Sequence, residues 1–85
     1  MATIDKSDIR DVLDRFGKLA VPAEKVDDDD DLFTVGLTSH ATVNVMLGLE
    51  DLYDVEFPEE LMKKSTFSSV NSLASALSSL VAAGV

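Results

Sequence analysis

No cysteine occurs anywhere in the chain's 85 residues, and this absence constrains the fold more than any other feature. Disulfides and thiolate metal sites are excluded, as is a thiol nucleophile encoded by the chain itself. One histidine cannot form a histidine cluster either. A domain this short buries a modest fraction of its surface, so its core must be simple and built from apolar side chains alone. Apolar residues make up 46% of the chain, close to the usual globular share, which argues against disorder. The length suits one domain over residues 1–85 rather than two.

Periodicity predicts an all-α fold, a small four-helix bundle of three main helices and one short one. Ile9, Val12, Leu13 and Phe16 recur at i, i+3, i+4 and i+7 and mark a first amphipathic helix over 4–17. Thr3, Asp5 or Ser7 caps its start, and Gly17 stands where a left-handed C-cap is wanted. A long first loop follows from Lys18 to about Leu37. Pro22 interrupts it, and the run Asp27–Asp31 resists helix formation by self-repulsion. Leu32, Phe33 and Leu37 are the residues able to pin it to the core. Loops this long in compact domains tend to be functional.

The second helix is expected to start at Thr38 or Ser39 and reach about Tyr53, with Val45, Met46, Leu49, Leu52 and Tyr53 as its core stripe. It carries a second strip as well, Val43 and Leu47 beside His40, Asn44, Glu50, Asp51 and Asp54. A helix in so small a bundle buries one side, so this acid-rimmed apolar strip reads as a docking surface. Pro58 opens a short helical turn over 59–64. A last helix spans about 69–83, capped by Ser68 or Ser69, with Val70, Leu73, Ala74, Leu77, Leu80 and Val81 facing inward.

Seven Lys and Arg against 16 Asp and Glu give a formal charge of −9. Nucleic-acid backbones and anionic membrane surfaces repel such a chain, whereas basic protein partners are attracted. The N-terminal residues lack the apolar stretch of a signal peptide, and no run approaches membrane-spanning length. A cytoplasmic location and a monomer are the default expectations.

Two chemistries can be tested against spacing. A calcium loop opening at Asp27 places Asp29 and Asp31 correctly, but puts Leu32 where glycine is required and Thr38 where a bidentate Glu is required. No metal site is expected. Ser39 is no better as an enzyme nucleophile. Gly36-Leu37-Thr38-Ser39-His40 lacks the G-x-S-x-G elbow, and adjacent helical residues such as Ser39 and His40 point apart. A serine at a helix start nevertheless sits where outward N–H groups and the macrodipole favour a phosphate. On helix-start physics alone, Thr38 and Ser39 acting as caps is the simpler account.

The stretch Asp31-Leu32-Phe33-Thr34-Val35-Gly36-Leu37-Thr38-Ser39 resembles the phosphopantetheine attachment motif D-L-x-x-x-G-x-D-S-L of acyl and peptidyl carrier proteins. The similarity continues through Leu49-Glu50-Asp51, Tyr53, Phe57-Pro58 and Thr66-Phe67-Ser68-Ser69-Val70 at the family's spacing. The resemblance implies that Ser39, flanked by Gly36 and Thr38, receives a 4'-phosphopantetheine arm from coenzyme A through a separate phosphopantetheinyl transferase. The arm's thiol then holds a cargo as a thioester, and the chain itself catalyses nothing. It also implies a cargo-loading ligase, a downstream acceptor enzyme, and partner contacts along the second helix at His40, Val43, Leu47, Glu50 and Asp51.

Two departures bear on partners and cargo. Thr38 replaces the usual Asp, and His40 replaces the usual Leu. They point away from a housekeeping fatty-acid carrier. The Thr38-Ser39-His40 version with Ala41-Thr42-Val43 resembles stand-alone aminoacyl carriers, charged by ligases similar to aminoacyl-tRNA synthetases. A fatty acyl or peptidyl carrier is the alternative within the family. An unmodified acidic helical interaction protein is the alternative outside it.

Overall fold

Helix formation begins at Asp5, whose carboxylate accepts the Ser7 amide at 2.9 Å and so satisfies one of the orphan donors of the first turn. That bond, together with the Ser7 hydroxyl, holds the Asp5 carboxyl below the usual aspartate range. The structure, a computed structural model, describes residues 4–82. The Thr3 cap candidate and the predicted helix end at Ala83 therefore lie outside the described residues. Three α-helices form, α1 (Lys6–Val12), α2 (Ser39–Tyr53) and α3 (Val70–Ala82), with short turns between them and no strand among the described residues. The all-α bundle with a long first loop is the fold that was expected.

The helices pack through the predicted stripes. Ile9, Leu13, Val45, Leu49, Val70, Leu73 and Leu77 are fully buried, and Leu32 from the loop joins them. Each such side chain contributes about 1.5–3 kcal/mol on removal from water. α1 and α2 approach closely because residue 48 is glycine. A Cβ there would stand 3.0 Å from the Phe16 ring and from a Val12 methyl.

Four details differ from the sequence expectation. Helix 1 ends in a widened π-type turn, Leu13–Gly17, so the left-handed residue falls one position later, at Lys18 (φ 50°), and Gly17 is buried instead. The same widening slows the rotation per residue and swings Phe16 out of line to 41% exposure. Leu52, expected in the core, is 50% exposed. Asp54, in the left-handed conformation that Asp tolerates, reverses the chain there, and Val55 and Phe57 fill the core at this end. The short helix over 59–64 is a 3₁₀ turn, Glu59–Leu61, followed by a second, Lys64–Phe67. Ser69 supplies the cap of α3, its hydroxyl accepting the Ser72 amide at 3.0 Å.

The loop of 18–37 is bound to the bundle along its length. Arg10 donates to the carbonyls of Ala23 (3.2 Å) and Val26 (2.9 Å), and Asp14 accepts the Ala23 amide at 2.8 Å. The acidic run is exposed but anchored. Asp28 is ion-paired to both Arg10 and Lys6, and Asp29 accepts the Asn71 side chain. The Asp28 carbonyl also accepts the Asn71 amide at the start of α3 (3.0 Å). Opposite charge and the first turn of α3 thus relieve the self-repulsion that the sequence shows.

Hydrogen bonds from Arg10, then Lys6, hold the Asp28 carboxyl below its ordinary 3.8. A depressed carboxylate contributes stability above its unfolded-state value and loses it as pH falls through the folded one. Asp28→Asn is therefore expected to lower the melting temperature at pH 7. The gap to wild type should close as pH drops below 3.8. Melting curves across that range check it, and a gap that does not narrow in acid contradicts the pairing.

Candidate functional site

The start of α2 is set by the segment before it. Asp31 accepts the Phe33 amide at 3.0 Å and begins a single helical turn, closed by Thr34 N–H to the Asp31 carbonyl (3.1 Å) and Leu37 N–H to the Leu32 carbonyl (2.9 Å). Leu32 fills the core beneath, and its amide donates to the Ser68 carbonyl at 2.7 Å. Gly36 then takes φ 117°, a conformation that side chains oppose, and lies so close to Ala20 that an added Cβ would be 2.8 Å from its nitrogen. That approach allows Ala20 N–H to reach the Val35 carbonyl at 2.8 Å. Asp31, Leu32 and Gly36 thereby aim the chain into α2.

Thr38 is the N-cap. Its backbone is extended (φ −103°, ψ 161°) and its hydroxyl accepts the Ala41 amide at 3.1 Å. Ser39 is the first helical residue. Its hydroxyl has no hydrogen-bond partner among the described residues, nor do the amides of Ser39 and His40 find an acceptor there. Thr38 alone does the capping, and the exposed Ser39 hydroxyl stands unengaged beside outward amides.

Ser39, Val43 and Leu47 follow one another at i, i+4 and i+8, so the serine heads a stripe along the outer side of α2. Val43 and Leu47 are 50% and 53% exposed. His40, Asn44 and Asp51 are exposed beside them. Glu50 differs, being half-buried with its carboxylate accepting the Phe57 amide at 2.7 Å, which holds it across the end of the helix. Five of the predicted residues, Ser39, His40, Val43, Leu47 and Asp51, thus share one solvent-facing side.

A groove of about 250 Å³ opens beside Ser39. Thr42, Val43 and Met46 of α2 form one wall, and Phe33, Met62 and Phe67 the other, with Lys63 and Lys64 at its edge. Phe67 stacks on Phe57 with ring centroids 5.8 Å apart, and the Lys64 ammonium lies 4.9 Å from the Phe33 centroid. The sequence reading did not single out this groove. The helical offsets of Val43 and Met46 from Ser39 signal one wall, but nothing local signals that residues 62–67 come to face them. No base lies within hydrogen-bond reach of Ser39 Oγ among the described residues. The arrangement presents a hydroxyl without activating it.

Residues 9–77 match the protein family described as "Phosphopantetheine attachment site". The chain belongs to that family. It is a carrier protein, and its prosthetic group is 4'-phosphopantetheine. The group supplies what a cysteine-free chain lacks, a thiol that holds cargo as a thioester. The start of α2 fits it, offering a free hydroxyl and two unengaged outward amides of the kind that favour a phosphate.

Relatives narrow the comparison. An aminoacyl carrier protein of Agrobacterium fabrum (strain C58 / ATCC 33970) is 40% identical over 65 residues, which are 76% of this chain and 78% of the relative. One solved complex joins an engineered Bradyrhizobium japonicum glycine:[carrier protein] ligase with AMP and a carrier protein from Agrobacterium tumefaciens. The match has a TM-score of 0.84 at 35% identity, over 87% of this chain and 99% of the matched one. In another, the B. japonicum ligase is complexed with a glycylated carrier protein. That match has a TM-score of 0.72 at 32% identity, over 84% and 95% of the two chains. Among the described residues no helix is long and apolar enough to cross a membrane.

Proposed function

We propose that residues 1–85 act as one aminoacyl carrier domain, with the 4'-phosphopantetheine arm esterified to Ser39 and a small amino acid, glycine in the first instance, carried on its thiol. The observation that supports this most is the division of labour at the start of α2. Thr38 takes the cap and leaves the Ser39 hydroxyl exposed and unbonded within the span matched by the family. A phosphopantetheinyl transferase adds the arm, an amino-acid-activating ligase loads it, and a further enzyme accepts the cargo. The chain performs no catalysis in this scheme. The ligase complexes of the relatives support that loading partner. The exposed His40, Val43, Leu47 and Asp51 beside the serine form the surface that partner enzymes contact, with an acidic edge suited to basic groups.

Intact-mass measurement tests the proposal. Incubation with coenzyme A, magnesium and a broad-specificity transferase is expected to add one phosphopantetheine to wild type and none to Ser39→Ala. Subsequent incubation with glycine, ATP and the B. japonicum ligase is expected to add one glycyl group. An unchanged wild-type mass, or the same gain in Ser39→Ala, sinks the attachment assignment and favours an unmodified interaction protein. An arm that the ligase does not glycylate overturns the cargo assignment alone.

A further inference from the structure

We propose that the outer face of α3 pairs with the same face of a second copy of this chain, in a weak antiparallel association about Ser75. Charge and an unpartnered hydroxyl carry the inference. Asp, Glu, Lys and Arg make up 27% of the chain, yet α3 has none of them over its 13 residues. An open groove of about 490 Å³ runs between α3 and the segment 61–66, and no charged side chain lines it. Thr66 and Ala76 are buried along this groove, while Ser75 and Ser79 are exposed beside it. In a chain of formal charge −9, a like-charged copy meets least repulsion at such a face.

Thr66 points to an occupant. Only 6% of the residue is exposed, and its hydroxyl has no hydrogen-bond partner among the described residues. No side-chain oxygen or nitrogen closed off from solvent is unpaired among those residues, so this hydroxyl opens outward, into the groove that Thr66 lines. A hydroxyl so nearly enclosed gains from a fixed partner. The hydroxyls of Ser75 and Ser79 are also without a partner among the described residues. Asn71 donates its side-chain nitrogen to Asp29 at 2.6 Å and keeps its side-chain oxygen free to accept.

This surface complements itself, as a twofold interface requires. Small Ser and Ala side chains let two helices approach at the short end of the usual 8–10 Å spacing. In an antiparallel crossing about Ser75, residue 79 of one copy comes over residue 71 of the other. A free hydroxyl donor then meets a free amide acceptor at both ends of the contact. Asp28 and Asp29 are bonded to Asn71 at the start of α3, so the same crossing keeps the two acidic runs at opposite ends of the pair. A face two helical turns long falls below the roughly 1,200 Å² of a stable interface, which puts the dissociation constant on the order of 1 mM. Ser39, Val43 and Leu47 lie on α2 outside this face, so paired copies remain open to loading enzymes.

Sedimentation and nuclear magnetic resonance of the unmodified chain test this. Between about 0.02 and 2 mM protein, the weight-average mass is expected to climb from 9.1 kDa toward twice that value. Salt should strengthen the association, because it screens the repulsion between two chains of charge −9 and no ion pair holds them together. Concentration-dependent shifts are expected in the amide signals of Thr66, Asn71, Ser75 and Ser79, and not in those of Ser39, Val43 and Leu47. Ser75→Glu, at an exposed position, sets two carboxylates against each other on the axis. It is expected to abolish the rise in mass while circular dichroism shows the helices intact. Ser79→Glu, also exposed, takes its place if Ser75→Glu loses helix. A mass that stays at 9.1 kDa throughout overturns the proposal. So does an association that weakens in salt, centres its shifts on α2, or survives in full in the folded glutamate variant.

Discussion

Gly36→Ala is expected to destabilise the fold by about 2–4 kcal/mol, combining strain at a forbidden backbone conformation with the loss of one backbone hydrogen bond. At φ 117° the residue lies where side chains are rarely tolerated, and the new Cβ would be 2.8 Å from the Ala20 nitrogen. The obstacle is backbone, not the flexible end of a side chain, so relief requires the two segments of the loop to part. Parting them breaks the Ala20-to-Val35 bond and turns the approach to Thr38 and Ser39. For a domain of this size the cost corresponds to a fall in melting temperature on the order of 10 °C or more. Slower phosphopantetheine transfer should accompany it, because the serine is presented by the displaced segment. Urea titration gives the free energy and a timed mass assay gives the transfer. A variant with wild-type stability would show that the loop can open at residue 36 without cost.

Leu32→Ala carries the second large effect, about 2–5 kcal/mol by comparison with other buried leucine truncations. Leu32 is fully buried although it belongs to the loop, and its backbone bonds Ser68 on one side and Leu37 on the other. Truncation therefore leaves a cavity at the junction of the loop, α2 and the segment before α3. A domain of this length is stable by only about 4–13 kcal/mol in total, so the variant approaches unfolding at ordinary temperature. Phe33→Ala is the control, since Phe33 is only partly buried and lies over the groove. It should cost clearly less. Equal losses for the two variants would mean that Leu32 does not fasten the loop.

These two residues also show why the motif has its composition. Aspartate starts the turn at 31, leucine ties it to the core at 32, and glycine makes the close pass at 36. Each acts on the backbone before the helix, and together they deliver a serine whose hydroxyl is left unengaged. The position before that serine is filled by Thr38, which caps as Asp would but without its charge.

What the sequence determined by itself is what depends on local periodicity and local chemistry. The all-α class, the stripes of the three helices, the length of the first loop and the exposure of Val43 and Leu47 follow from apolar residues spaced by the helical repeat. The attachment motif is also local, because a turn, an anchor and a cap within nine residues leave a readable spacing. The tertiary structure decided whatever depends on residues far apart in the chain. The π turn displaced the left-handed residue from Gly17 to Lys18, and chain reversal at Asp54 left Leu52 outside while Val55 and Phe57 entered the core. Arg10 turned an acidic run that reads as self-repelling into a fixed strap over the start of α3. The groove joins Phe33, α2 and residues 62–67, and its two lysines face a serine more than twenty positions away. No periodicity encodes such a meeting. It arises when separate elements bury their apolar faces against one core, and only then do the charges they carry become neighbours.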